Sequence, residues 1–67
     1  MKAYQQRAID EKRELDKKVN RLNTFLGSEV FGSLPAPERD RMIRQSVHME
    51  AYATVLGERI AAFEEEA

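Results

Sequence analysis

The sequence predicts an all-α protein, an antiparallel two-helix hairpin that assembles into a homo-oligomeric helical bundle. Three observations carry that prediction. In the second half, Met42, Ser46, Met49, Ala53, Leu56, Ile60 and Phe63 alternate steps of four and three, which sets them on one helical seam. In the first half, Ala8, Leu15, Val19, Leu22 and Leu26 repeat the pattern more weakly, with Lys12 at its one polar step. Between them lies a short breaker stretch containing Gly27, Gly32 and Pro35. Residues 1–67 therefore read as a single helical-hairpin domain, with a helix over about 3–26, a connector over about 27–35 and a second helix over about 36–64.

The outward face of the first helix carries favourable charge pairs, such as Glu14 with Lys18. Gly27 suits the position just beyond that helix, where a left-handed backbone commonly ends it. Ser28 is placed to cap a single turn, Glu29-Val30-Phe31, which Gly32 would stop. Val30, Phe31 and Leu34 are too apolar for a plain solvent loop and are expected to plug the end of the hairpin or meet a neighbouring subunit. The second helix starts around Pro35 to Pro37, because proline is tolerated in a first turn, and Glu38 and Asp40 suit its positive dipole end. Gly57 costs about 1 kcal/mol against alanine in a helix interior. Together with Ala53, four residues earlier, it would let another backbone approach closely. A second apolar stripe, Ile43, Val47, Ala51 and Val55, lies off the main seam. One partner helix cannot cover both stripes, and apolar patches left on a small monomer are a liability. That surplus stripe is the sequence argument for oligomerisation.

A chain of 67 residues is one domain at most. Domains this small rarely bury enough apolar surface without disulfides, metal or self-association. There is no cysteine, and the single histidine, His48, cannot build a metal site alone, so no cofactor is expected and self-association is the remaining route. Eleven basic residues against 12 acidic ones give a formal net charge of −1, which argues against general nucleic-acid binding. Glu64 to Glu66 form an acidic tail; without it the body carries a slight basic excess, compatible with a small anionic ligand. No apolar run approaches the roughly 20 residues of a membrane span, and Met1 to Gln6 lacks the apolar stretch of a secretory signal. The cytoplasm is the expected location.

Enzyme chemistry is not expected. The sequence has no Gly-rich phosphate loop, no His/Asp/Glu cluster at ligand spacing and no nucleophile–base pair. Ser46 reads as a small core position, Met42 and Met49 as packing residues, His48 as a surface or interface residue, and Asp10, Glu14 and Lys17 as a solvated charged face. One arrangement is sharper. With Leu15 and Met49 at heptad position d, Tyr4, Glu11, Lys18 and Phe25 share the g flank of the first helix, and Gln45, Tyr52 and Arg59 that of the second. In an antiparallel pair the two g flanks face one another. With the turn near Phe31, Tyr4 is expected near Arg59, Glu11 near Tyr52 and Lys18 near Gln45, with Arg7 between Tyr4 and Glu11. Aromatic faces, guanidinium groups and an amide suit stacking on a base and holding a phosphate. They equally suit an internal network, with Tyr4 over Arg59 and Glu11 bonded to Tyr52 or Arg7.

The spacing Tyr4, Arg7, Glu11, Leu15, then Gln45, Met49, Tyr52, Leu56, Arg59 and Ile60, resembles that of a family of small phage and prophage proteins. Its members pair Tyr-x-x-Arg-x-x-x-Glu-x-x-x-Leu with Gln-x-x-x-Met-x-x-Tyr-x-x-x-Leu-x-x-Arg-Ile. The connector Phe31-Gly32-Ser33-Leu34-Pro35 with Glu38 also matches the family's Phe, Leu and Glu. The resemblance covers nearly the whole chain and implies a phage-encoded accessory protein acting in the host cytoplasm. A looser, fold-level analogy leads to small helical-hairpin oligomers of phages that act as sponges for cyclic-nucleotide immune signals, without catalysis. On that analogy the expected function is anti-defence sequestration of a small nucleotide signal, with Arg7, Tyr52 and Arg59 as ligand-binding residues and Lys18 and Gln45 in support. The expected partners are further copies of the chain and a cyclic nucleotide or related small anion. The alternative is an adaptor or inhibitor of a host enzyme, acting through the stripe from Ile43 to Val55 and the Val30/Phe31/Leu34 tip.

Overall fold

In the computed structural model, which describes residues 1–66, all secondary structure is helical. Helix α1 spans Ala3–Leu26, α2 Glu29–Ser33 and α3 Ala36–Glu66. The body is a rod of about 50 × 15 × 14 Å. No helix among the described residues is long and apolar enough to cross a membrane.

Local chemistry sets each boundary. The Lys2 backbone N–H donates to Gln5 Oε1 at 3.0 Å, which satisfies a donor at the start of α1 and turns the Gln5 side chain inward. At the other end Gly27 has φ −89° and ψ 3°, so the left-handed stop expected there does not form. Ser28 does the joining instead. Its hydroxyl donates to the Phe25 carbonyl at 2.6 Å and accepts from the Phe31 N–H at 3.3 Å, so a single oxygen closes α1 and caps α2. Gly32, expected to stop the short turn, lies inside α2, which continues to Ser33. The Pro35 carbonyl then accepts from the N–H groups of Glu38 and Arg39 at 3.0 and 3.1 Å, opening α3.

The seams meet. Ala8 and Leu15 of α1 and Ser46 and Leu56 of α3 are buried, and Leu56 is 1% exposed. Met42, Met49, Ala53, Ile60 and Phe63 of α3, with Val19, Leu22 and Leu26 of α1, are half-buried. Three contacts fix direction and register. Tyr4 meets Phe63 edge-on at 5.7 Å between ring centroids. The stem of Lys12 lies over Gly57, where an added Cβ would stand 3.3 Å from Lys12 Cε. The Ser46 hydroxyl donates to Asn23 Oδ1 at 2.9 Å. The helices therefore run antiparallel, but about one heptad, roughly 10 Å of helix, out of the expected register. The connector explains the shift. Helix α2 occupies it and closes on the end of α1 through Phe25 and Phe31, whose rings lie 6.1 Å apart. The chain thus turns back later than Phe31, and the first turns of α3 run past the end of α1.

The Lys12–Gly57 contact also accounts for the one polar step in the α1 seam. The missing side chain at Gly57 makes room for the aliphatic stem of Lys12, whose ammonium reaches out to Asp16 at 2.8 Å. Within the chain, Gly57 thus admits a neighbouring side chain. Because the nearest atom belongs to the far end of a flexible lysine, Gly57→Ala is expected to stabilise the protein by roughly 0.5–1 kcal/mol through helix propensity. Thermal unfolding followed by circular dichroism checks this; a lower midpoint would mean that Lys12 cannot give way.

Candidate functional site

The two g flanks lie along one side of the α1–α3 pair, with the register setting which residues are level. It places Arg59 at the level of Glu11 and Tyr52 at that of Lys18, in place of the pairs Tyr4/Arg59, Glu11/Tyr52 and Lys18/Gln45. Tyr4 meets Phe63 edge-on, one turn beyond Arg59 along α3. Glu11 makes no hydrogen bond to Tyr52 or Arg7 among the described residues.

What the flank presents is a row of accessible polar and aromatic groups. Arg7, Lys18, Gln45 and Arg59 are exposed, and Tyr52 is 46% exposed. Among the described residues, Arg7, Lys18 and Arg59 enter no ion pair, as is true of Lys2, Arg21, Arg39 and Arg44 elsewhere, whereas Lys12, Arg13, Lys17 and Arg41 each hold a carboxylate three or four residues away. Gln45 Nε2 rests against Met49 Sδ at 3.7 Å. Helical spacing strings the flank along the rod, so Arg59 and Tyr52 stand one heptad, about 10 Å, apart. This arrangement offers cations with unspent hydrogen-bonding capacity beside an accessible ring.

The opposite flank differs in character. An open groove of about 380 Å³ is lined by Ile9, Lys12, Arg13, Asp16 and Ile60. None of the five expected ligand residues lines it, and its cations are engaged with Asp10 and Asp16. Further along the same flank, Asn23 receives the Ser46 hydroxyl and donates Nδ2 to Glu50 Oε1 at 2.9 Å, a polar clasp between the helices. Sequence reading found Ser46 as a small core residue but missed Asn23 and Glu50, since only a settled register reveals that they meet. It also missed Arg39, one seam step before Met42, whose Nε is buried with no partner among the described residues. No group of three or more metal-ligating side chains occurs among the described residues. Of the acidic tail, Glu64 and Glu65 are exposed on the last turn of α3; the Glu66 side chain lies outside the described residues.

Residues 2–62 match the family named Sequestin. An uncharacterised 7.5 kDa protein from the denB–rIIB intergenic region of Enterobacteria phage T4 is 40% identical over 63 residues, covering 94% of this chain and 98% of that relative. No solved structure matches the chain.

Proposed function

The chain belongs to the Sequestin family of small phage proteins, and from that premise we propose that it sequesters a small nucleotide immune signal in the host cytoplasm, as a non-catalytic anti-defence protein. The observation that carries the reading is the g flank, where Arg7, Lys18 and Arg59 enter no ion pair among the described residues and lie along the same side as the half-exposed Tyr52. Guanidinium groups take phosphate oxygens in forked, charge-assisted pairs. A tyrosine face supports a base by stacking, worth about 1–3 kcal/mol in nucleic-acid complexes. Lys18 adds a point charge at the level of Tyr52, and Gln45 an amide able to donate and accept.

Sequestration differs from catalysis in its products. Isothermal titration against a panel of cyclic di- and trinucleotides is expected to yield at least one ligand held stoichiometrically. Heating the complex should then release that nucleotide chemically unchanged. Absence of binding across the panel defeats the reading for this ligand class, and recovery of a cleaved product defeats the non-catalytic part.

A second reading, an adaptor or inhibitor of a host enzyme, is favoured by exposed apolar residues at the tip, where Val30 is 60% exposed. Capture of one host protein that Val30→Glu abolishes, with no nucleotide bound by the wild type, would select it.

A further inference from the structure

We propose that the outward face of α3 packs against the same face of a second copy, the two α3 axes crossing at about −50° so that their Ile43-Val47-Ala51-Val55 ridges lie side by side and interdigitate. The argument begins with surface area. The chain exposes 4991 Å², whereas a folded monomer of this mass exposes about 4300 Å². The excess, roughly 650 Å², approaches the ~800 Å² that each partner contributes to a standard interface. The interior is correspondingly thin, since the buried apolar residues are Ala8, Leu15 and Leu56.

The uncovered apolar surface is concentrated. Ile43, Val47 and Val55 are 47%, 58% and 52% exposed, and Ala51 between them is exposed as well. Val47, Ala51 and Val55 fall on the outer heptad positions of α3, and Ile43 on the flank of the seam. Their spacing is a strict step of four, unlike the alternating four and three of the seam. A step-of-four row is a ridge of the type that interdigitates with an identical ridge at about −50°, whereas the coiled-coil seam favours a crossing near +20°. These four carry no charge, the row's next steps at either end being Arg39 and Arg59, and Ala51, the smallest member, lies where close approach of two backbones is needed. Residues beyond the crossing, such as Asp40 and Glu58, diverge from the partner at this angle and stay solvated.

A second copy is the occupant for two reasons. An i±4 ridge is complementary to itself, so a two-fold axis beside Ala51 satisfies both surfaces at once. A surface whose covering supports the fold must also be covered by something present whenever the chain folds, which another copy is and a host protein is not. The association is independent of the nucleotide reading, and its test involves no ligand.

The sequence contains no cysteine, so Ala51→Cys introduces a sole thiol. Air oxidation of this variant is expected to yield a covalent dimer, because Cα atoms within about 7 Å can be bridged. Ala61→Cys, ten residues or about 15 Å further along α3, is expected not to link. Light scattering of the unmodified protein should give a multiple of the 7.7 kDa chain mass that Val47→Glu reduces to the single chain. If Val47→Glu fails to fold, the cysteine pair decides, with a link only at position 51 supporting the proposal. A monomeric wild-type mass, an assembly unaffected by Val47→Glu, equal linking at 51 and 61, or no link at 51 overturns it. So does a wild-type monomer whose α3 face captures a host protein.

Discussion

Leu56→Ala is expected to remove a large part of the protein's stability. Leu56 is the most deeply buried large side chain, 1% exposed, at the centre of the contact between α1 and α3. Truncating such a leucine costs about 2–5 kcal/mol, from lost transfer energy and from the cavity left behind. A domain of this size is stable by only about 3–10 kcal/mol in total. The upper part of that cost is expected here, because few other buried residues share the load. Loss of helical circular dichroism, read against Val30→Ala as an exposed control, checks the prediction at one fixed protein concentration, since self-association makes stability concentration-dependent. A midpoint within a few degrees of wild type would mean that the weight of the core lies elsewhere.

The position of Leu56 in the core was legible in the sequence; the partner facing it was not. Periodicity identifies a seam because side chains three and four residues apart share a helical face, and every seam residue read in α3 is buried or half-buried. The α1 seam was legible from Ala8 onward, while Gln5, one step earlier and buried, went unread because it is polar. Register is a different matter. A heptad pattern maps onto itself when one helix slides by seven residues, so apolar spacing cannot distinguish the two alignments. Singular features decide it. Gly57 alone has room for Lys12, Asn23 offers Ser46 an acceptor, and α2 lengthens the turn. None of these stands out before the helices are placed side by side. The candidate flank was legible to the same degree: its membership follows from the heptad labels, and its internal pairing follows from the register.

That register makes the flank's response to charge specific. Arg59→Glu is expected to weaken nucleotide binding by about 100-fold or more, because it removes a charge-assisted contact worth roughly 1.5–3 kcal/mol and places a repelling carboxylate beside the phosphate. Arg59 is exposed and enters no ion pair among the described residues, so the fold should tolerate the change within about 0.5 kcal/mol. Glu11, level with Arg59, provides the opposite sign. Its carboxylate competes with an incoming phosphate, and Glu11→Gln removes a repulsion of about 1 kcal/mol at contact distance in a solvated site. Affinity should therefore rise roughly fivefold. Titration of both variants with the nucleotide that the wild type binds best, alongside thermal unfolding of each, tests the site. If both variants lower the melting midpoint and neither changes affinity, Glu11 and Arg59 hold the helices together and the ligand is bound elsewhere.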